Sequence, residues 1–337
     1  MSTKISAELN ENKPPPRRIF SQTAIDNVER FGLIIVWLVT IAVFSFLRPT
    51  SFFTWPNLST ILGSQAVLVV ATLGLIIPLT AGDYDLSVAS TLTLSSMIIG
   101  VLNVTRGVGI GWAIAAALTM GVIVGVINGF FITVFRINSL IVTLGVGTFL
   151  NGITLWISNS MTISGIAPEL VQAVIVNRLF GIPLEFYYGL ALCCIIWYVF
   201  EYTSIGRRIL FVGRGREVAR LSGINVDRVR RGCLIASSVL GALGGVLYAG
   251  TTGAADPTSG LSYLLPAFAA AFLGATTINP GRFNPWGATI AVYFLVTGIT
   301  GLIMVGINTF VQDLFYGGAL VLAVTLSQLV RGREERL

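Results

Sequence analysis

Length, composition and charge already exclude most functions. The chain has 337 residues, 54% of them hydrophobic and 11% charged, against about 25% charged residues in a soluble domain. With a mean hydropathy of +0.84, it cannot cover a soluble surface with polar groups, so it reads as an integral membrane protein. Its net charge of +6 follows from the topology argued below, and no nucleic-acid partner is needed to explain it.

There is no histidine. That excludes Ser-His-Asp and Cys-His catalysis, H-E-x-x-H zinc sites and haem on an axial histidine. The two lysines, Lys4 and Lys13, lie in the polar N-terminal stretch, so the chain has no Walker A loop. It is therefore no P-loop ATPase by itself, and as a membrane enzyme its catalytic inventory would be thin. Any ATP and magnesium belong on a partner subunit. Cys193, Cys194 and Cys233 lack metal or redox spacing and read as small packing residues.

In chain order, residues 1–30 form a polar tail containing Pro14-Pro15-Pro16, expected to be disordered and cytoplasmic. Ten mainly apolar runs follow, near 31–47, 61–80, 86–105, 108–135, 139–158, 184–200, 233–250, 264–278, 286–305 and 309–330. A spanning helix needs about 20 such residues. The first run is too long for a signal-peptide core and is read as a retained helix. The fourth is long enough to tilt or break, and the run at 264–278 is short enough to be partly re-entrant. The fold class is thus an all-α polytopic membrane protein, one transmembrane domain over 31–330 with a basic tail at 331–337.

The basic residues set the orientation. With ten spans and the N-terminus inside, all lysines and arginines except Arg48, Arg106 and Arg178 fall in the cytoplasm. Both termini are then inside. The Arg-rich stretch 202–232 is cytoplasmic, and 159–183 is the longest outer loop.

Polar side chains within or beside the spans are candidates for a solute path, because neutral polyols are held by hydrogen bonds and aromatic faces. They are Gln65, Asn103, Asn128, Thr143, Thr148, Asn151, Trp156, Tyr293 and Asn308. Each is otherwise an ordinary helix–helix hydrogen-bonding residue. Thr143, Thr148 and Asn151 are expected to share one helix face. Asp83 and Asp85 sit between two spans. They fit a helix cap, with Asp85 ahead of a helix starting at Leu86. They also fit a gate, or a cation site. Gly121, Gly125 and Gly129, like Gly241 and Gly245, form small-residue stripes for close helix packing.

Within 202–232, Arg216 to Leu221 reads as a short helix ended by Ser222-Gly223. Val218 and Leu221 lie three apart and share a face, so this helix can dock in a groove on a soluble partner. A basic loop that only fixes topology is the alternative.

Four stretches carry a resemblance. Gly215-Arg216-Glu217-Val218-Ala219-Arg220-Leu221-Ser222-Gly223-Ile224-Asn225-Val226 resembles the cytoplasmic segment of ribose-type ABC importer permeases. Gly82-Asp83-Tyr84-Asp85-Leu86-Ser87-Val88 resembles that family's Gly-Gly-Ile-Asp-Leu-Ser-Val. Leu140-Ile141-Val142-Thr143-Leu144-Gly145 is similar to its Pro-Phe-Ile-Val-Thr-Leu-Gly, and Gly281-Arg282-Phe283 lies where it has a Gly-rich turn. The chain departs from the pattern at Asp83 (Gly in the family), Tyr84 (Ile), Ala89 (Gly), Ser139 (Pro) and Arg216 (Asn). The resemblance implies a vitamin-B12-importer-like architecture of about ten helices in the bacterial inner membrane. It implies as partners an ATP-binding ABC subunit, a periplasmic sugar-binding protein, a second permease copy or a related permease, and membrane lipids. Arg214, Arg216, Glu217, Val218, Arg220, Leu221, Ser222 and Gly223 would then couple the chain to the ATPase. An ion-coupled secondary transporter of a small polar solute is the alternative function. It needs charges deep in the spans, of which few exist.

Overall fold

The computed structural model describes residues 22–334, with side-chain surroundings from 30 to 325. The expected tail up to residue 21 and the last residues, 335–337, lie outside the described residues. The described chain is mostly helical. Helix α1 is Gln22–Leu47, so it begins well before the predicted residue 31. Helix α2 (Trp55–Ser64) starts at a Thr54 cap with Pro56 in its first turn and continues, after one non-helical residue at Gln65, into α3 (Ala66–Thr80). Helix α4 (Val88–Gly100) runs on into a π-helical turn, Val101–Thr105. Helices α5 (Ile110–Val134) and α6 (Ser139–Ser158) follow, α5 without a break.

The stretch 159–183 carries two short strand pairs: Ile163–Ser164 with Ala254–Ala255, and Arg178–Leu179 with Ile182–Pro183. Then come α7 (Leu184–Tyr202), α8 (Ser204–Arg214), α9 (Arg216–Leu221) and α10 (Val226–Thr252). The predicted loop 202–232 is therefore mostly helix. Its eight arginines mislead because a helix that crosses an interface keeps its polar end in water. The bundle closes with α11 (Leu261–Gly274), α12 (Pro285–Val305) and α13 (Val311–Glu334).

Eight helical segments among the described residues are long and apolar enough to cross a membrane; Leu261–Gly274 and Val311–Thr325 are shorter apolar helices. These ten correspond in order to the ten runs read from sequence. At 1.5 Å per residue α11 reaches only about 21 Å, short of a 30 Å hydrocarbon core.

The core is built around α10, which packs on α5, α4 and α3. Small residues make this contact. A Cβ on Gly121 would stand 2.7 Å from the Ala242 Cβ, and one on Gly125 would overlap the Ile235 backbone. Gly241 and Gly245 face α4 in the same way, against Val88, Leu92 and Ser95. Both stripes are packing surfaces, as their spacing predicts. Helix α3, lying against α10, is buried along its whole length.

Candidate functional site

Helix α8 is amphipathic. Gly206, Ile209 and Val212 are buried, while Arg207, Arg208 and Arg214 face outward. The Thr203 hydroxyl accepts from the Gly206 N–H at 3.3 Å and caps the helix. Gly215 interrupts the chain, and α9 starts at Arg216. Ala219 anchors this short helix in a small cluster with Val212 and Val226. The opposite face carries Val218, 58% exposed, and Leu221, 90% exposed. Arg220 pairs with Glu217 at 2.9 Å and with Asp227 at 3.7 Å. Gly223, with φ +81°, ends α9 and donates its N–H to the Arg220 carbonyl.

The base of α9 is tied to the core. The Arg216 Nη2 donates to the Gly82 carbonyl at 2.8 Å and to Asp83 Oδ1 at 3.1 Å. Arg230, on the first turns of α10, donates Nε to Asp83 Oδ2 and Nη2 to Oδ1, each at 2.7 Å. Asp83 is buried and sits in the turn between α3 and α4. Gly82 makes that turn with φ +78°. Asp83, Arg216 and Arg230 thus meet in one ion cluster.

The turn continues into a second network. Asp85 Oδ1 accepts from the Ser87 N–H at 3.0 Å and from its hydroxyl at 2.6 Å. This is an aspartate turn leading into α4 at Val88, two residues later than the predicted helix start at Leu86. Burial pushes the Asp85 carboxyl up, and the hydrogen bonds from Ser87 oppose the shift. Asn128 of α5 donates to the Ser87 hydroxyl at 2.8 Å. From α6, Thr143 accepts from the Leu86 N–H at 3.0 Å and Ser139 from the Tyr84 N–H at 3.1 Å. The segment 82–87 is held from four sides by α5, α6, α9 and α10.

The remaining path candidates lie apart from this site. Thr148 and Trp156 are exposed, Asn151 is half-buried and Thr143 is buried, so Thr143 and Thr148 do not share a face. The Thr148 hydroxyl donates to the Leu144 carbonyl of its own helix. Asn103 bridges the Val108 carbonyl and the Ala167 N–H, which fastens the α4 end to the 159–183 segment. Gln65 lies at the α2–α3 junction and bonds Ser64. Tyr293 is buried and donates to the Leu62 carbonyl at 3.1 Å. Asn308 is exposed beyond the end of α12.

Sequence reasoning missed Arg230 and Glu185. With α10 expected to begin at 233, Arg230 counted as one more loop cation. A start at Val226 puts Val226, Arg230 and Cys233 on one face. Glu185, at the start of α7, is buried and accepts from the Thr251 hydroxyl at 2.5 Å. It lies inside the predicted run 184–200, within which no acid is singled out.

A family profile described as "Branched-chain amino acid transport system / permease component" matches residues 57–324. The D-allose transport system permease protein of Escherichia coli K12 is 27% identical, over 98% of this chain and 98% of that protein. The ribose import permease protein of the same organism is 30% identical, over 91% and 95%. The galactose/methyl galactoside import permease protein of Salmonella typhimurium is 26% identical, over 90% and 95%. No solved structure matches the chain. A match from α2 into α13, joined to relatives aligned nearly end to end, places this multi-pass membrane chain in the importer permease family that includes the ribose, allose and galactose import permeases.

Proposed function

We propose that the chain forms the transmembrane path of an ATP-driven importer for a sugar or polyol-like solute in the bacterial inner membrane. The names of its relatives support the cargo class. The single observation that carries the mechanism is α9. It presents two exposed apolar side chains, Val218 and Leu221, on a short helix whose first residue is ion-paired to the core.

In this reading the ten apolar helices cross the membrane with both termini in the cytoplasm, in a vitamin-B12-importer-like arrangement. The path forms between two permeases, either two copies or this chain and a relative. ATP and magnesium are held and hydrolysed on separate ATPase subunits, so this chain does no bond chemistry. Residues Arg214 to Leu221, with Ser222 and Gly223, seat in the ATPase. When the ATPases close, α9 moves, and Arg216 passes the movement to Asp83 and the 82–87 turn. Ser139 and Thr143 carry it into α6, and Asn128 into α5. A periplasmic binding protein delivers the cargo on the outer side. Gln65, Asn103, Thr148, Asn151, Trp156, Tyr293 and Asn308 remain candidate contacts along the route.

Right-side-out vesicles from the native bacterium test this against ion-coupled transport. Sugar accumulation is expected to need internal ATP and added binding protein, to survive collapse of the ion gradients, and to fail with Arg216→Glu plus Arg220→Glu. Accumulation that persists without ATP and disappears with the ion gradient would overturn the proposal.

A further inference from the structure

Beside the coupling helix lies an apolar groove between α7, α8 and α10, with a volume of about 640 Å³, within the range of ligand-binding clefts. Its walls include Ile77, Leu192, Phe200, Ile209, Ala236 and Leu240, and its charged lining residues are Arg208 and Arg228. Along α10, Arg228, Gly232, Ala236 and Leu240 recur every four residues and line one face. Arg228 stands at one end of this row and Leu240 at the other, about 18 Å apart at 1.5 Å per residue. One leaflet of a 30 Å hydrocarbon core is about 15 Å deep. The groove therefore has the depth of a single leaflet, with its cations at the end where α10 leaves the membrane.

Gly232 faces open space in the groove, since a Cβ there would meet no atom within 4 Å. At the charged end, Arg208 and Arg228 also line a smaller cavity of about 330 Å³, together with Ser222 and Asn225. Neither guanidinium has an ion-pair partner among the described residues, whereas Arg216, Arg220, Arg230 and Arg282 are paired. The combination is an unneutralised cation pair at the mouth of an apolar trough of leaflet depth.

We propose that this groove binds one anionic phospholipid of the cytoplasmic leaflet. Its acyl chain lies along α10 from Gly232 to Leu240, and its phosphate sits between Arg208 and Arg228. Basic pockets between spanning helices on the cytoplasmic side suit anionic headgroups. A soluble phosphate ester would satisfy the arginines and leave the apolar trough without a use. A zwitterionic lipid would fill the trough and leave the arginines without a net counter-charge. The site does not depend on the coupling role of α9.

The test uses the full-length permease, purified in detergent and stripped of lipid. Phosphatidylglycerol and phosphatidylcholine with the same acyl chains are titrated in turn, and bound lipid is read by native mass spectrometry. One phosphatidylglycerol per chain is expected, held more tightly than phosphatidylcholine. Arg208→Gln with Arg228→Gln is expected to weaken it about twenty-five-fold, since each basic residue at an anionic surface contributes about fivefold. Gly232→Leu fills open space, so the chain should keep its thermal midpoint and lose the lipid. Equal retention of the two lipids, or phosphatidylglycerol binding that neither variant reduces, would overturn the proposal. So would displacement by sn-glycerol 3-phosphate, which would mark a soluble-phosphate site. Disulfide cross-linking of an Ile195→Cys variant to a second copy would instead make the groove a protomer interface.

Discussion

Asp83 and Arg230, 147 residues apart, form a two-point ion pair with both N–O distances at 2.7 Å. Arg216 reaches the same carboxylate from the coupling helix. One buried aspartate thus joins the turn between two core helices, the start of α10 and the base of α9. Any displacement of α9 either drags this turn or breaks an ion pair.

The two arginines differ in burial, and that decides what each contributes. Asp83→Ala would leave the buried Arg230 without its counter-charge, at a cost of about 3–5 kcal/mol. The Arg216 side chain is 37% exposed, so Arg216→Ala should cost less than about 1 kcal/mol. Thermal unfolding in detergent should rank Asp83→Ala far below Arg216→Ala; equal midpoints would remove Asp83 from the role of anchor.

Arg216→Asn, which removes the charge but keeps a polar side chain, separates stability from coupling. The permease should fold and assemble normally. Sugar uptake per ATP hydrolysed should fall about fivefold or more, the lower end of usual coupling energies. The comparison needs uptake and ATP hydrolysis measured on the same reconstituted vesicles. An unchanged ratio would mean that the Arg216–Asp83 pair transmits nothing.

The α5–α10 contact has little room. Gly125→Ala places a methyl group against the Ile235 backbone, which cannot swing aside as a side chain would. A cost of about 1–3 kcal/mol is expected. Gly145→Ala on α6 meets open space and should be neutral or gain up to about 1 kcal/mol from helix propensity. Chemical denaturation of the two variants side by side checks the contrast.

Asp85 acts as an acceptor for Ser87, and asparagine can keep that role. Asp85→Asn should fold as well as the native chain, while Asp85→Ala should lose about 1–2 kcal/mol. The pH dependence has a definite sign. Because burial raises the folded-state pKa, the native carboxylate carries no penalty at low pH and an increasing one as pH rises past the ordinary aspartate value of about 4. The stability of Asp85→Asn relative to the native chain should therefore grow from acid to neutral pH, as read by unfolding midpoints across that interval.

Much of this architecture was legible in the residues. Apolar run length placed the apolar helices, because a bilayer demands about 20 apolar residues whatever the tertiary contacts. Gly121, Gly125 and Gly129 announced a close helix contact by spacing alone. Val218, Leu221 and the Ser222-Gly223 stop located α9. The ion cluster was not legible, because Asp83, Arg216 and Arg230 meet only through the fold. Local patterns reach about one helix turn, whereas these residues are separated by whole spans. The start of α10 was misplaced for a related reason. An arginine-rich helix end looks like a loop until a buried partner accounts for one of its charges. Thr143 and Asn128 were singled out as polar residues in spans, yet only the fold shows that both hold the 82–87 turn.

The most direct test of the coupling role is affinity capture of the chain from its own bacterial membranes in mild detergent, with partners identified by mass spectrometry. A soluble ATP-binding subunit carrying Walker motifs should co-purify. Val218→Asp with Leu221→Asp should reduce its recovery about a hundredfold, from the loss of two apolar contacts of about 1.5 kcal/mol each, at unchanged permease yield. Capture of the permease alone, or of an ATPase whose recovery the double variant leaves intact, would contradict the assignment of α9 as the coupling helix.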